Sequence, residues 1–392
     1  MNRAACLAFA GLLALSSQAL GQGGAPAKAD PSKPATGAKV PAAKPAGDAK
    51  KVGDESKPKL QQVFIVGMDG MVGAGLRHDE MVAAEREADK FGPNQIIVLK
   101  INSGGGSVTE GDKISRTLGR IRDKHRVVAW IEEAISGAAF TAMHCREIYF
   151  MKVGTMGSIT KFSSGEGGQV SATGRDLEAW IERVAEVAEG ADRNGDVGRA
   201  MVYSPIVVSY SKDPKTGKVT FYRDGSGEVM LSDENDNLTF TASSAMDCGY
   251  INGVADTEQE LFEAMQLTPG SYEVNPVGKK ISDSWQRTLE RCKKQAQEIQ
   301  QDLAMTDGPD PANLSKRIKL YRQMQDIWRQ APPVAMGMEG GGFLIPPEVE
   351  KLAPDLVEKF QTTMDSKIAI EAIDRCIKDL QKQLAESRKR SG

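Results

Sequence analysis

Short apolar runs alternate with helical segments through the first half of the chain, and this alternation constrains the fold most. Buried strands are predicted at VFIVGMDG, which ends on turn residues, and at IIVLKI, RVVAWIE and EIYFM. Helical spacing of apolar residues is found between them, in HDEMVAAEREADKF, GDKISRTLGRIR and SGAAFTAMHC. Strands that alternate with helices at this spacing form βαβ units around a mostly parallel sheet.

Two turns at predicted strand ends carry residues suited to chemistry. One is the stretch 103–106, SGGG, and the other contains Ser136 and Gly137. Glycine permits positive φ, so a run of three can present bare N–H groups to an anionic oxygen. A serine hydroxyl at a helix start lies near the positive end of the helix dipole, which suits a nucleophile. An N-cap role for Ser136 and a structural turn at the glycines are the alternatives.

Other classes of site find little support in the sequence. Neither GxxxxGK[ST] nor a dinucleotide-binding glycine pattern is present. The formal net charge of −3 leaves no overall basic footprint for nucleic acid. Cys145, Cys248, Cys292 and Cys376 are widely scattered without metal-ligand spacing, which favours four buried thiols over a metal site. No cofactor is therefore predicted.

Four motifs in the same order resemble the Clp-type serine proteases. INSGGGSVTEGDKI is similar to the INSPGG-SV segment of that family, with Gly104 where Pro usually stands. A small-residue helix about thirty residues further on matches the nucleophile helix at Ser136. Gly154–Ile159 resembles a segment of signal peptide peptidase A and the NfeD-type proteases, and Thr239–Leu261 resembles the closing element. The resemblance covers about Val63–Leu267 and implies an α/β fold, a Clp/crotonase-like spiral of ββα units with a mostly parallel sheet.

The resemblance also implies roles for individual residues. Ser136 would be the nucleophile, and the backbone N–H groups of Gly105 and Gly137 would form the oxyanion hole. The substrate would be a peptide or protein. Because Clp-like proteases usually form rings or dimers, a homo-oligomer is also implied.

The general base is harder to assign by resemblance. Clp-type enzymes place a histidine where this chain reads SITKFSS, and their aspartate position falls near Asn237. The chain's own histidines are not favoured: His144 lies two turns along the nucleophile helix, His125 in a surface-like turn and His78 in front of a helix.

The Ser–Lys relatives place their lysine at a helix start, which here is Arg175, and arginine cannot act as a base. Lys161 is the substitute candidate because it stands where the Clp-type histidine would project. An exposed loop lysine is the alternative interpretation of Lys161, and it stays open.

Two further functions compete with the protease. A degenerate protease scaffold that binds peptides or organises partners would keep the fold without the reaction. A crotonase that acts on acyl-CoA is ranked last, since an exported protein rarely meets CoA and no paired carboxylates mark the site.

The N-terminal segment predicts export. Residues 1–21 combine Arg3, an apolar core and small residues before a cleavage point, which indicates a secretory signal peptide; an uncleaved membrane anchor is the alternative. Residues 22–59 are rich in Ala, Pro and Lys, which favours a disordered tether. We therefore expect a periplasmic or extracellular protein, with membrane association or a membrane-associated partner as a further expectation.

The rest of the chain divides into two predicted regions. Residues 60–270 would form the Clp/crotonase-like domain, with a β-hairpin insertion at about 203–231. Residues 271–392 would form a helical, coiled-coil-like region with a heptad seam through Trp285, Leu289, Cys292, Ala296 and Ile299. A bundle that packs on itself is favoured over an oligomerisation stalk.

Overall fold

The computed structural model of the chain describes residues 60–165, 168–338 and 344–391. The predicted signal peptide, 1–21, and the predicted tether, 22–59, lie outside the described residues.

The strands fall into one large sheet and two small ones. They are β1 (Gln61–Asp69), β2 (Ile96–Ser103), β3 (Arg126–Ile135), β4 (Glu147–Gly157), β5 (Phe162–Gly165), β6 (Gly168–Ser171), β7 (Ser209–Lys212), β8 (Val219–Tyr222), β9 (Val229–Met230), β10 (Thr239–Thr241), β11 (Gly253–Val254) and β12 (Tyr272–Val274).

The helices alternate with these strands and then dominate the C-terminal region. They are α1 (His78–Asp89), α2 (Val108–Arg122), α3 (Gly137–Met143), α4 (Gly174–Glu189), α5 (Gly195–Val202), α6 (Ala242–Asp247), α7 (Glu258–Ala264), α8 (Val277–Ala304), α9 (Pro311–Gln330), α10 (Pro332–Ala335), α11 (Pro347–Leu352), α12 (Pro354–Thr363) and α13 (Ser366–Ser391).

The large sheet has the strand order β10-β4-β3-β2-β1-β12, and β11 also pairs with β4. Every pairing in it is parallel except that of β10 with β4. The predicted α/β fold with a mostly parallel sheet and C-terminal helices is therefore confirmed.

Alternate residues of β1 enter two different cores. Phe64, Val66 and Met68 pack with α1 to α6 on one face of the sheet. Val63 and Ile65 pack with α7 on the other face. Helices that cover both faces explain why the strands read as continuous apolar runs in the sequence.

The segment between α5 and β10 carries a small antiparallel sheet in the order β8-β7-β9. Strands β7 and β8 are joined by the turn Asp213–Gly217, in which the Gly217 N–H donates to the Asp213 carbonyl. This sheet lies within the predicted insertion, 203–231.

The C-terminal helices α8 to α13 share a separate hydrophobic core, which includes Leu289, Ile318, Trp328, Phe360 and Ile373. Its first helix also packs on strand β1 of the main sheet. A Cβ on Gly278 would come within 2.6 Å of the Ile65 carbonyl oxygen, so glycine permits this close approach.

All four cysteines predicted to be buried thiols are free and buried, which confirms that expectation. Of the helices in the described ranges, none combines the length and apolar character needed to cross a bilayer.

Candidate active site

The site is built on the turn from β3 to α3, where the backbone of Ser136 has a positive φ. Its φ is 56° and its ψ is −122°, and its side chain makes no capping hydrogen bond to α3. The Ser136 N–H donates to the Gly157 carbonyl at 2.9 Å, and the Ser136 carbonyl accepts from the Phe140 N–H at 3.0 Å. A positive φ costs a serine about 1–2 kcal/mol, so the surrounding backbone must hold this turn in place.

The glycine turn after β2 lies directly against Ser136. Gly105 has a φ of 101°, and Gly106 has a φ of 150°. A Cβ built on Gly105 would lie 2.6 Å from the Ser136 Cβ and 3.1 Å from the Gly137 nitrogen. The fold therefore brings together the predicted nucleophile and both predicted oxyanion residues, Gly105 and Gly137.

The donors at this turn are not all available in this structure. The Gly105 N–H donates to the Ser103 Oγ at 3.2 Å. Within the described part of the chain, the N–H groups of Gly106 and Gly137 have no hydrogen-bond partner. The Gly106 nitrogen would lie 3.5 Å from a Cβ on Gly137. Two unpaired donors therefore lie beside Ser136, and one of them, Gly106, was missed by sequence reasoning.

A loop after β1 fixes the glycine turn from the other side. The Val72 N–H donates to the Gly105 carbonyl at 2.8 Å, and the Ser107 N–H donates to the Val72 carbonyl at 2.9 Å. Ser107 then caps α2, since its hydroxyl accepts from the Glu110 N–H. These bonds hold the Gly105 carbonyl on Val72 and fix the glycine turn to the loop after β1.

Lys161 lies after β4 and forms an ion pair with a carboxylate of α4. Its Nζ is 2.5 Å from the Asp176 Oδ1 in the first turn of α4, and its side chain is 13% exposed. The same Nζ lies 6.0 Å from the centre of the Trp180 ring, a cation–π distance. No hydrogen bond joins Lys161 to Ser136 among the described residues. Sequence reasoning missed Asp176, for which no motif gave a signal.

The histidines are all engaged away from Ser136. His144 is buried: its Nδ1 donates to the Phe140 carbonyl at 2.7 Å, and its Nε2 lies 2.5 Å from the Ser115 Oγ. Burial lowers the pKa of His144 to about 4. His125 is also buried, 3.0 Å from Asp89, so the expectation of a surface-like turn is wrong there.

His78 contacts Glu110 through its Nδ1 at 2.6 Å. His78 is the first residue of α1.

The resemblance places further catalytic residues of the relatives at Asn237 and Arg175. Asn237 donates through its Nδ2 to the Thr160 Oγ1 at 2.7 Å and to the Val202 carbonyl at 3.0 Å. Arg175 is exposed in the first turn of α4, where Asp176 also lies. Neither residue contacts Ser136.

A cavity of about 440 Å³ is lined by Ser158, Leu231, Ser232, Asp233 and residues 236–239. Ser158 follows Gly157, the residue whose carbonyl accepts the Ser136 N–H. Over the ranges that the structure describes, no cluster of His, Cys, Asp and Glu side chains is arranged to hold a metal ion.

A parallel sheet with helices on both faces, a glycine turn and a serine at the next strand-to-helix turn define a Clp-type α/β fold. Residues 62–237 match the family model described as NfeD1b, N-terminal domain. The chain thus has the Clp-type fold that its sequence predicts, and over these residues it is similar to the NfeD1b family. No curated protein matches the chain.

Several solved structures are similar over about half of the chain. A mutant of the 1510-N membrane-bound stomatin-specific protease is 14% identical, with a TM-score of 0.41, covering 55% of this chain and 90% of that one. The 1510-N membrane protease specific for a stomatin homolog from Pyrococcus horikoshii is 14% identical, with a TM-score of 0.33, covering 52% and 78%. ClpP1 from Listeria monocytogenes is 16% identical, with a TM-score of 0.32, covering 50% and 94%.

Proposed function

We propose that this protein is a serine endopeptidase that cleaves peptide bonds through Ser136. The observation that carries the proposal is the positive φ of Ser136, whose side chain makes no cap bond and whose Cβ stands directly against Gly105, beside the unpaired N–H groups of Gly106 and Gly137. A tetrahedral intermediate places negative charge on one oxygen, and two fixed N–H donors would stabilise that charge by several kcal/mol. Gly137 supplies one donor, and Gly105 or Gly106 supplies the other.

The proposed reaction begins when the Ser136 Oγ attacks the carbonyl carbon of the scissile bond. The hydroxyl proton passes to a base, the carbonyl oxygen becomes the oxyanion, and collapse of the intermediate expels the protonated amine and leaves an acyl-enzyme. Water then hydrolyses the acyl-enzyme. Lys161 is the proposed base, and to act it must leave the ion pair with Asp176.

Labelling with a fluorophosphonate tests the nucleophile. Wild-type protein should be labelled covalently at Ser136, and Ser136→Ala should abolish the label while the thermal unfolding curve stays near that of the wild type. Ser158→Ala is the matched control, because Ser158 also has a positive φ but its hydroxyl is bonded to the Thr239 Oγ1 at 2.8 Å. Undiminished labelling of Ser136→Ala would refute the assignment.

A degenerate protease that binds peptides is the second candidate, and the arrangement of Lys161 favours it. The lysine is paired with Asp176, Arg175 stands at the position of the relatives' lysine, and none of the described histidines contacts Ser136. This protein would bind an extended peptide beside the cavity without labelling Ser136. Peptide binding by fluorescence anisotropy, measured next to the labelling experiment, distinguishes the two candidates.

We also propose that the protein is exported, acts at or near a membrane and forms a homo-oligomer. The apolar segment within residues 1–21 and the match to an NfeD-type family model support export and membrane association. Removal of the signal would give a mature chain that begins at Gln22, which intact-mass measurement would detect. Full-length chain retained in the membrane fraction would favour the uncleaved anchor instead.

A further inference from the structure

The C-terminal helix α8 is bonded to the loop that supports the glycine turn. The Trp285 Nε1 donates to the Ala74 carbonyl at 2.8 Å, and the Gln286 Nε2 donates to the Asp69 carbonyl at 3.1 Å. These acceptors lie at the start and the middle of the segment 69–77, which we call the support loop. Two consecutive residues of one helix therefore fix two backbone carbonyls of one loop.

Stacking reinforces these two bonds. The guanidinium carbon of Arg77 lies 3.4 Å from the centre of the Trp285 ring. Arg77 is itself held by Glu80, with its Nη2 2.6 Å from the Glu80 Oε1. A guanidinium stacked on an indole face is stabilised by cation–π attraction and by dispersion. The Trp285 ring thus contacts the support loop at both Ala74 and Arg77.

The support loop is compact and leads directly to the candidate site. Its Val72 side chain is fully buried, and the Val72 backbone bonds the Gly105 carbonyl and the Ser107 N–H. The Val72 Cγ2 also lies 3.5 Å from the Cβ position of Gly137. A continuous series of contacts therefore runs from Trp285 through Ala74, Val72 and Gly105 to Ser136.

We propose that Trp285 and Gln286 are positioning residues, through which the C-terminal helical region sets the geometry of the oxyanion-binding turn. The helical region acts on the site without touching it: α8 holds the support loop, the loop holds the Gly105 carbonyl, and the orientation of that peptide decides which N–H groups face Ser136. The part of this inference that concerns reactivity rests on the proposed function. The part that concerns how α8 holds the support loop does not rest on the proposed function.

The Trp285 and Gln286 side chains donate to two carbonyl groups whose orientation helps to define the support loop. The Asp69 carbonyl ends β1 and the Ala74 carbonyl lies in the tight loop that follows, in which a Cβ on Gly75 would overlap the Asp69 carbonyl oxygen. The Met71 and Leu76 carbonyls accept bonds from N–H groups inside the loop, whereas the Ala74 and Asp69 carbonyls accept bonds from α8, so the orientation of these two depends on donors from outside the loop. Loss of one net hydrogen bond would shift a local opening equilibrium by about five-fold.

The test compares Trp285→Phe with Trp328→Phe in the full chain. Both substitutions keep an aromatic ring and remove one indole N–H bond to a carbonyl; Trp328 donates to the Leu344 carbonyl at 3.0 Å inside the C-terminal core. Hydrogen–deuterium exchange is followed in peptides that contain the Val72 and Ser107 amides, and Ser136 labelling is followed over a range of fluorophosphonate concentrations.

Trp285→Phe should speed exchange at both amides by about five-fold and lower the maximal labelling rate. The probe concentration that gives half-maximal labelling should not change. Trp328→Phe should leave both amides and the maximal rate near their wild-type values, even if it lowers the melting temperature.

Unchanged exchange in Trp285→Phe would overturn the inference, and so would equal effects of the two variants, which would indicate general destabilisation. Faster exchange with an unchanged maximal labelling rate would overturn the link from the loop to Ser136. If wild-type protein is not labelled at all, the proposed function fails, and the exchange comparison still decides whether α8 holds the turn.

Discussion

Gly105 and Ser136 are packed so closely that no side chain fits between them: a Cβ on Gly105 would lie 2.6 Å from the Ser136 Cβ. The residues are distant in sequence and meet because β2 and β3 are parallel neighbours that end at the same edge of the sheet. This contact is the structural basis of the proposed site, and it makes the site sensitive to single substitutions.

Gly105→Ala should abolish labelling of Ser136 and destabilise the fold. The alanine would carry a positive φ, which costs about 1–2 kcal/mol, and its Cβ would also displace Ser136. Gly92→Ala is the matched control, because Gly92 has a φ of 90° with no atom within 4 Å of the Cβ position. Urea unfolding should show a larger loss for Gly105→Ala than for Gly92→Ala, and equal losses would contradict the prediction.

Ser103→Ala should increase the rate of Ser136 labelling by about five-fold, the value of one net hydrogen bond. The Ser103 hydroxyl accepts the Gly105 N–H, so this donor must be released before it can bind an oxyanion. An unchanged rate would leave Gly106 and Gly137 as the donor pair. A slower rate would mean that the Ser103 bond holds the turn in its productive shape.

Lys161→Met should lower peptidase activity by about 100-fold or more if Lys161 is the base. Lys161→Arg should do the same, because arginine keeps an ion pair with Asp176 but cannot accept a proton. Asp176→Asn should retain or increase activity, since it releases the lysine. Activity that survives both Lys161 substitutions would identify the residue as structural.

Acid should destabilise the fold through His144. Burial lowers the pKa of His144 from 6.5 to about 4, so between these pH values the unfolded chain binds a proton that the folded chain does not. The free energy of unfolding should therefore fall by up to about 3 kcal/mol as the pH drops through this window. Urea unfolding of wild type and His144→Gln at several pH values tests this, and equal slopes in both proteins would contradict it.

Much of the main fold could be predicted because its signals are local. The strands around Phe64, Leu99 and Ile131 are apolar on both faces, and the spacing of Ile114 and Leu118 indicates a helix. The heptad seam likewise indicated α8. Strand β12 was missed, since a three-residue strand with exposed or half-exposed residues carries no periodic signal.

The site could be predicted only in part. Ser136 and the glycines were found through a motif. The hydrogen-bond and ion-pair partners of the site residues depend on contacts between distant segments of the chain. The Ser103 bond to Gly105 occupies a donor that sequence reasoning left free, and Asp176 pairs with Lys161 from a different helix. The heptad seam identified α8 as a helix, but it gave no sign that Trp285 reaches the Ala74 carbonyl.

Strand β12 and the first turn of α8 together cover the outer edge of β1. Tyr272–Val274 pairs with Gln61–Val63, and Gly278 presses against the backbone of Ile65 further along the strand. An open parallel edge invites a strand from another molecule, and these two elements close it. The last strand on this side of the sheet is therefore β12, so a strand from another copy cannot pair with β1 and would meet only the three residues of β12.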